Sequence, residues 1–513
     1  MGGAWYLVSV TDDAHYQALV ARDPRFDGVF FVGVTTTGIY CRPICPARTP
    51  ARSRCTFHAT AALAEAAGFR ACFRCRPEVA PGHAPVDAVD TLVTAATQRI
   101  AEGALNDRSL DDLAAELGVS ARHLRRALEA KLGVSPVELA QSRRLALAKQ
   151  LLQDTALPLT EIAFAAGFAS VRRFNAVFAA RMGRSPSALR SRPRDRARAK
   201  HAPPRAEGIP SGRRAHGGGG EGVTLRLDVR APYDWDRLLA FLHQRAIPGV
   251  ETVVDGAYRR IIHMHGKTGT IEVRYAGRLA LTVSPELLPV LMPLVARVRR
   301  MFDLDARPDQ IRAVLGRDKL LGKLVAARPG LRVPGAIDPF EAAVRALLGQ
   351  QVSVAAATTL AGRFAAQLGQ PFGDAGSRAA TSAAGGGLAY RFPTAAEVVA
   401  AGPDRIAKLG LPGARAKALH ALAAGVASGS IKLDGARELE AFVAELVELP
   451  GIGPWTAHYL AMRALHVPDA FPAADLGVQK VLGMKGAKAA EARAEAWRPF
   501  RAYAVMHLWE SLA

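Results

Sequence analysis

A short glycine-rich turn constrains the fold of this chain more than any other stretch. A helical apolar pattern ends at Leu449 and a second one begins at Pro454, with Pro-Gly-Ile-Gly between them. Proline is favoured at the first position of a helix, and glycine permits a tight turn with a bare backbone. Backbone N–H groups at Gly451, Gly453 and the new helix would then point outward. The stretch predicts two helices joined by an anion-binding turn that suits a DNA phosphate.

One carboxylate follows this turn, Asp475, and it is the only one between Ala470 and Met484. A glycine-rich hairpin followed by a single Asp resembles the helix-hairpin-helix glycosylase superfamily. The resemblance implies that Asp475 is catalytic. It also assigns contacts with the DNA backbone to four hairpin residues: Leu449, Gly451, Ile452 and Gly453. The alternative is an ordinary helical hairpin in which Asp475 only caps the helix that begins at Leu476.

The residue two positions after the second hairpin glycine predicts the type of glycosylase. Members of the superfamily that also cleave the DNA backbone carry a Lys nucleophile at this position. Here the position holds Trp455, and an indole cannot form a Schiff base. The resemblance therefore implies a monofunctional glycosylase.

The charge of the chain indicates its class of partner. There are 67 Lys and Arg residues against 46 Asp and Glu, which gives a formal net charge of +21. Such an excess favours a polyanion, nucleic acid before membrane. No apolar run reaches the roughly 18 residues of a membrane span, and the first residues lack a signal-peptide pattern. We expect several domains, no membrane contact and a cytoplasmic protein.

All five cysteines lie within one short segment. Cys41 and Cys45 form one close pair, Cys72 and Cys75 form a second, and Cys55 stands between them. Two close pairs separated by a spacer predict a tetrahedral Zn²⁺ site with four thiolate ligands. Free buried thiols are the alternative. Cys55 has no partner at metal-binding spacing, so it is predicted to be a small core residue.

The segments around these cysteines are TDDAHYQALVARDPRFDG, TTTGIYCRPICPAR and GFRACFRCRPE. They resemble the N-terminal domain of the Ada family, which implies that Cys41 both binds zinc and accepts a methyl group from DNA methyl phosphotriesters. Zinc keeps a thiolate deprotonated, and the thiolate is the nucleophile. Methylation would lower the formal charge of the site from about −2 to about −1, which favours DNA binding. A structural zinc module without methyl transfer is the alternative.

Residues 86–190 are predicted to be helical and carry two turns of the same form. The first runs from Leu110 to Ser120 and the second from Leu159 to Ser170. In each, a short helix stops at Gly, and Ser caps a new helix that opens with basic residues. The pair resembles the AraC-type double helix-turn-helix domain. The candidate DNA contacts are Arg122, His123, Arg125, Arg126, Arg172, Arg173 and Asn175.

The rest of the chain divides into a linker, a strand-rich part and a helical part. Residues 191–221 are rich in Arg, Pro and Gly and predict a disordered linker. Alternating runs then predict antiparallel strands, and one amphipathic run predicts a helix. The strands are VTLRLDVR, YRRIIHMH, TIEVRYA and RLALTVS, and the helix is PYDWDRLLAFLHQRAI. From Asp303 onward the pattern is helical, apart from a predicted loop near 371–390.

The segments YDWDRLLAFL, ALLGQQVSV, LPGIGPWTAHY and WRPFRAYAVMHLW together resemble the inducible 3-methyladenine DNA glycosylase II family, AlkA. The resemblance implies that Gln351 is the wedge that fills the vacated base stack, although the family is known to carry Leu there. It also implies an aromatic base pocket, made of Trp455, Tyr459, Trp509 and Phe241. Core aromatic residues are the alternative for Trp509 and Phe241.

The chemistry of alkylated bases explains these residue types. A base must leave the stack before its glycosidic bond is reachable. An N-alkylated purine is cationic, so electron-rich aromatic faces attract it. A carboxylate beside the sugar stabilises the oxocarbenium-like transition state and orients or deprotonates the attacking water. This reaction needs no metal or organic cofactor.

Together the patterns predict a multidomain α+β protein. The expected parts are a four-cysteine zinc domain (1–85), an all-α double helix-turn-helix domain (86–190), the linker (191–221), an antiparallel α+β subdomain (222–302) and an all-α helix-hairpin-helix glycosylase domain (303–513). The expected partners of the monomer are alkylated and operator double-stranded DNA and RNA polymerase. No Pro-Cys-His-Arg segment is present, so no O6-methylguanine transferase activity is expected. The alternative function is a purely regulatory DNA-binding protein with a non-catalytic glycosylase-like domain.

Overall fold

The computed structural model describes residues 12–82, 91–190, 222–373, 387–434 and 438–512, which form a mainly helical α+β fold. The predicted linker 191–221 and most of the Gly/Ala-rich insertion lie outside the described residues. None of the described helices combines the length and the apolar character needed to cross a bilayer.

The cysteine segment folds around a small sheet that the spacing of its cysteines did not predict. Its elements are α1 (Asp12–Ala21), β1 (Phe31–Val34), β2 (Ile39–Cys41), β3 (Cys55–His58), α2 (Ala61–Ala66) and β4 (Arg70–Ala71). The strand order is β3-β1-β2-β4, and β2 pairs with β4 in parallel. Parallel neighbours end at the same edge of a sheet. Cys41, which ends β2, and Cys72, which follows β4, are therefore brought together.

The second part is all-helical, as predicted. Its helices are α3 (Thr91–Ala101), α4 (Leu110–Glu116), α5 (Ala121–Leu132), α6 (Pro136–Asp154), α7 (Leu159–Ala165), α8 (Val171–Met182) and α9 (Pro186–Arg190). The side chains of Ser120 and Ser170 cap α5 and α8 by accepting from backbone N–H groups three residues on, at 3.2 Å in each. In both helix-turn-helix units, the predicted serine cap at the start of the second helix is confirmed.

The third part is an antiparallel sheet with helices beside it. Its elements are β5 (Val223–Leu227), α10 (Trp235–Gln244), β6 (Glu251–Val254), β7 (Ala257–Met264), β8 (Lys267–Tyr275), β9 (Leu279–Val283) and α11 (Leu291–Met301). The strand order is β5-β9-β8-β7-β6. The four predicted strands are confirmed. The fifth, β6, was missed because its four residues are too few to show alternation.

The C-terminal part is helical from α12 to α22. Its helices are α12 (Pro308–Leu315), α13 (Leu321–Ala327), α14 (Pro339–Leu348), α15 (Val354–Leu368), α16 (Ala395–Ala407), α17 (Gly413–Ser428), α18 (Leu439–Val447), α19 (Pro454–Arg463), α20 (Leu476–Leu482), α21 (Ala487–Ala494) and α22 (Arg501–Glu510). Where the sequence predicts only a loop, near 371–390, two short antiparallel strands close the base of the insertion. These are β10 (Gln370–Pro371) and β11 (Tyr390–Arg391).

Buried contacts cross between the first three parts. Phe31 and Tyr40 of the cysteine segment lie in the same buried cluster as Phe174 of α8 and Leu281 of β9. A second cluster joins Ala62 to the first helix-turn-helix unit. The cysteine segment is therefore packed against the following parts rather than tethered to them.

Candidate metal centre and candidate active site

Four sulfur atoms converge at the edge where β2 and β4 end. The Sγ atoms of Cys41, Cys45, Cys72 and Cys75 all lie within 4.8 Å of one another. Zn–S bonds of about 2.3 Å would place the sulfurs of a tetrahedral site about 3.8 Å apart. The donor set and its size therefore fit a zinc ion.

Sulfurs this close need a cation if all four are to ionise. Hydrogen bonds within the cluster, first of all with Cys41, lower the pKa of Cys72 and raise the pKa of Cys75. A divalent ion allows four thiolates to coexist because it neutralises their repulsion. Among the four, Cys41 is partly exposed and the other three are buried. Cys55 is buried against Phe30, apart from the cluster, as a core residue.

Arg42 connects the metal loop, meaning the two segments 41–45 and 72–75 that carry the four sulfurs, to the five-stranded sheet. Its backbone N–H donates to Cys75 Sγ at 3.3 Å, and its guanidinium donates to the Cys75 carbonyl at 3.1 Å. The same guanidinium pairs with Asp27 and, at 2.7 Å, with Asp228 just after β5. The side chains of Arg42 and Asp228 are only 4% and 9% exposed, so this ion pair is shielded from solvent.

We expect Asp228→Asn to loosen this connection, since Arg42 would keep Asp27 but lose one buried charge partner. The predicted loss in the free energy of unfolding of the metal-bound segment is about 1–3 kcal/mol. Denaturant-induced release of zinc to a coloured chelator measures it. Asp236→Asn, at an exposed position on α10, is the matched control. An unchanged release midpoint in the Asp228 variant would contradict the prediction.

A lysine from the helix-turn-helix part supports the other side of the metal loop. Lys149 of α6 donates to the Cys72 carbonyl at 2.8 Å and pairs with Glu78 at 2.7 Å, and its side chain is fully buried. On the same helix, Asp154 accepts two hydrogen bonds from Arg76, at 2.7 and 3.0 Å. The metal loop is thus held between α6 and the sheet.

The glycine-rich turn joins two helices, as the sequence predicts. It joins α18 to α19, Gly451 has a positive φ of 80°, and Pro454 is the first residue of α19. The side chain of Ile452 is buried in the core, so contacts with DNA from this residue would come from its backbone. Gln350 also fixes the turn, because its side-chain amide donates to the Gly451 carbonyl at 2.8 Å.

Asp475 lies between two tryptophans. Its Oδ2 accepts from Trp455 Nε1 at 2.9 Å, and its Oδ1 accepts from Trp509 Nε1 at 2.9 Å. Oδ1 also accepts from the Val478 N–H at 2.9 Å and so caps α20. Capping is therefore a real role of this side chain, but it accounts for only one of its three hydrogen bonds. A carboxylate oxygen has two in-plane lone pairs, and among the described residues only one donor, Trp455, contacts Oδ2.

Three of the four predicted pocket aromatics form one group beside Asp475. The rings of Trp455 and Tyr459 stack with centroids 5.2 Å apart and planes within 14°. The rings of Tyr459 and Trp509 are tilted, with centroids 6.4 Å apart. Trp455 and Tyr459 lie one turn apart on α19, and Trp509 comes from the end of α22. These elements bring a carboxylate and three electron-rich rings together.

The fourth aromatic, Phe241, lies over arginines instead. The guanidinium carbons of Arg245 and Arg463 are 3.7 and 4.6 Å from the centroid of its ring. Arg463 also contacts Tyr459: Nη1 of Arg463 donates to the Tyr459 hydroxyl at 3.0 Å. Phe241, Tyr459 and both arginines line one cavity that opens to solvent.

Gln351 occupies the loop between α14 and α15. Its side chain is exposed, and its backbone has a positive φ of 58°, which is uncommon for a residue other than glycine. The neighbouring Val352 is 38% exposed. The placement gives Gln351 access to a DNA partner, and its wedge role stays a prediction.

The predicted DNA contacts of the helix-turn-helix units all face solvent. Buried Leu124 and Phe174 turn one side of α5 and α8 into the core. The opposite side carries the seven exposed candidates: Arg122, His123, Arg125, Arg126, Arg172, Arg173 and Asn175. Their individual roles stay predictions.

The sequence interpretation missed Arg245 and Arg463, although a signal was present. Arg245 follows Phe241 by four residues, and Arg463 follows Tyr459 by four. Residues at this spacing lie on one face of a helix. Each expected pocket ring on α10 and α19 therefore had a cation one turn away.

Comparisons with known families cover most of the chain. Four family models match it: the metal binding domain of Ada at 14–78, a helix-turn-helix domain at 113–192, the AlkA N-terminal domain at 224–338 and the HhH-GPD superfamily base excision DNA repair protein at 344–501.

Individual relatives agree with these matches. The chain is 39% identical to the probable bifunctional transcriptional activator/DNA repair enzyme AlkA of Mycobacterium tuberculosis, over 97% of this chain and 96% of that protein. It is 37% identical to DNA-3-methyladenine glycosylase 2 of Escherichia coli, over 55% of this chain and 95% of that protein. It is 40% identical to Ada of Escherichia coli, over 26% of this chain and 37% of that protein. The chain therefore belongs to the family of bifunctional transcriptional activator/DNA repair proteins in which an Ada-type metal-binding domain and a helix-turn-helix domain precede an AlkA-type helix-hairpin-helix glycosylase.

Proposed function

We propose that this protein repairs and senses alkylated DNA through two separate chemistries. Asp475 supports hydrolysis of the N-glycosidic bond of alkylated bases such as 3-methyladenine. Zinc-bound Cys41 irreversibly accepts a methyl group from DNA methyl phosphotriesters and thereby activates transcription. The observation that carries the first proposal is the Asp475 carboxylate, fixed by two indole N–H groups beside a group of aromatic rings.

In the proposed hydrolysis a flipped nucleotide places its sugar beside Oδ2 of Asp475. The bond between C1′ and the base nitrogen breaks, and the base leaves with the electron pair. Positive charge develops on the sugar, where a fixed carboxylate stabilises it most effectively. A water oxygen then bonds to C1′, and its proton passes to Oδ2 or to solvent. Trp455 and Trp509 hold the carboxylate in one orientation throughout.

In the proposed methyl transfer Cys41 Sγ attacks the methyl carbon of the phosphotriester. The S–CH₃ bond forms as the CH₃–O bond breaks, and the phosphodiester leaves with the electron pair. Zinc, when bound, keeps the sulfur in its thiolate form at neutral pH. Partial exposure of Cys41 gives a DNA phosphate access to this sulfur, whereas the other three ligands are buried.

We also propose the type of glycosylase and the partners of the protein. The glycosylase is monofunctional, because Trp455 replaces the Lys nucleophile, and it uses no metal or organic cofactor. The protein acts as a cytoplasmic monomer that engages alkylated DNA, operator DNA and RNA polymerase. The exposed arginines of α5 and α8 are the surface proposed to meet DNA.

We expect the wild-type protein to release methylated bases from N-methylated duplex DNA and to leave the strand intact. Without an amine nucleophile no Schiff base with the abasic sugar forms. Chromatography of free bases, gel analysis of strand breaks and borohydride trapping measure the three outcomes. A covalent protein–DNA adduct would contradict the monofunctional assignment. Binding of the duplex without release of any base would favour the purely regulatory alternative.

A further inference from the structure

The glycosylase part of the chain (residues 222–513) holds a buried arginine that reaches the cysteine segment. Arg230 lies three residues after β5 and is only 3% exposed. Its Nε donates to the Asp27 carbonyl at 3.1 Å, and its Nη2 donates to the Gly82 carbonyl at 2.6 Å. Its Nη1 donates to the Asp305 carbonyl at 2.5 Å. One side chain therefore ties two separate points of the cysteine segment to the start of the helical part.

The backbone of the cysteine segment approaches the glycosylase part closely around this arginine. The Gly82 N–H donates to Asp305 Oδ1 at 2.6 Å, and a Cβ on Gly82 would lie only 3.1 Å from the same oxygen. The Asp228 N–H donates to the Val79 carbonyl at 3.3 Å. These contacts use main-chain groups, so they depend on the path of the cysteine segment and not only on its surface side chains.

Both sequence neighbours of Cys41 connect the metal site to the five-stranded sheet. Tyr40 is 2% exposed and lies in the buried cluster that also contains Leu225 of β5. Arg42 is 3% exposed and pairs with Asp228 at 2.7 Å. The residue whose sulfur would bind zinc is therefore flanked on both sides by residues that pack toward the sheet.

Zinc binding and this packing are linked thermodynamically. Four thiolates hold zinc only where the folded chain brings them together, so the binding free energy of the ion adds to the stability of that arrangement. If the metal loop opened, Asp228 and Arg230 would lose their partners on the cysteine segment, and buried polar groups that lose hydrogen bonds cost free energy. Such a coupling is reciprocal, so an ion that stabilises the loop also stabilises the sheet beside it.

We propose that the cysteine segment is a structural partner of the antiparallel sheet of the glycosylase part, so that zinc held by the four thiolates stabilises this sheet. The effect is strongest at β5 and at residues 228–230, which carry the contacts. The zinc site thereby has a role besides methyl acceptance: a chain that has lost its zinc keeps a less stable glycosylase part.

Hydrogen–deuterium exchange of the full-length protein, measured by mass spectrometry with zinc bound and after its removal by a chelator, tests this coupling. We expect the amides of β5 and residues 228–230 to exchange about tenfold faster without zinc, the order expected when buried hydrogen-bonded contacts weaken. The amides of α17 should keep their rates, because Leu419 and Leu422 lie in a core cluster that includes none of the described residues of the cysteine segment. Metal analysis of the same samples verifies that zinc has left.

Arg230→Met tests the assigned contact, because it keeps the apolar stem and removes the donors to Asp27 and Gly82. We expect the zinc-dependent ratio of exchange rates at β5 to fall to about threefold or less, since the coupling loses a buried contact. Both rates in this ratio come from the same variant, so a general loss of stability largely cancels. Arg226→Met, at an exposed position on the same strand, is the matched control and should keep the wild-type ratio.

Equal exchange at β5 with and without zinc in the wild-type protein would overturn the proposal. A rise of the same size in α17 would also overturn it, because the effect would then not follow these contacts. An undiminished ratio in the Arg230 variant would overturn the role assigned to Arg230. None of these measurements depends on base release or methyl uptake, so a failure of the proposed function would be seen separately.

Discussion

Asp475→Asn is expected to slow base release from N-methylated DNA by roughly 10²- to 10⁴-fold, the range for a positioned acid–base or charge-stabilising group. The neutral amide loses the charge that stabilises the sugar cation. It also cannot reproduce the hydrogen bonds, since both oxygens of Asp475 accept from an indole. Whichever way the amide turns, its NH₂ group faces an N–H donor of Trp455 or Trp509.

Single-turnover release of 3-methyladenine and 7-methylguanine measures this loss. Asp404→Asn, at an exposed position on α16, is a control of the same chemistry on the same part of the chain. Binding to a duplex with a stable abasic-site analogue should persist in the Asp475 variant, because the hairpin is unchanged. If that variant released bases at the wild-type rate, Asp475 would not be the catalyst.

The sequence presented capping and catalysis as alternatives for Asp475, and the hydrogen bonds in the structure make capping compatible with the proposed catalytic role. One oxygen caps α20 and accepts from Trp509, while the other, among the described residues, accepts from Trp455 alone. The local sequence pattern predicts that Asp475 is a helix cap, because the capping residue and its helix are adjacent in the chain. The indole partners lie 20 and 34 residues away, and no local pattern reports a contact at that distance.

The same distinction explains which parts of the fold were predictable. Helices with caps and strands with clear alternation were predicted, because their signals lie within one element. The strands of the cysteine segment are only two to four residues long, too short for a periodic signal. The docking of that segment rests on pairs such as Arg42 with Asp228, which are 186 residues apart by number. Only the folded chain shows such contacts.

Arg245 and Arg463 illustrate a third case, in which the sequence contains a signal but does not show what the side chains do. The spacing of Arg245 from Phe241 predicts a shared helix face. It does not reveal whether the arginine points to solvent or into the cavity, because both are common for an amphipathic side chain. Arg463 is only 8% exposed in the structure, so its side chain points into the protein and not to solvent.

Cys41→Ser is expected to abolish methyl uptake from DNA methyl phosphotriesters, from about one methyl per chain to none. A serine hydroxyl is not ionised at neutral pH, so it neither attacks the methyl carbon nor replaces a thiolate ligand. Intact-protein mass spectrometry after incubation with methylated DNA measures the uptake. Peptide mapping of the wild-type product should place the methyl group on Cys41.

The fifth cysteine supplies the matched control. Cys55 is buried in a separate apolar cluster and lies outside the four-sulfur group, so Cys55→Ser should retain both zinc and methyl uptake. Direct displacement requires the sulfur, the methyl carbon and the leaving oxygen to lie nearly in line, which demands an approach from solvent. Cys41 is the most exposed of the four cysteines, so we expect a DNA phosphate to reach it without opening the metal loop that Arg42 and Lys149 hold. Methylation mapped to Cys45, Cys72 or Cys75 would therefore contradict both the assigned acceptor and this geometric reason for it.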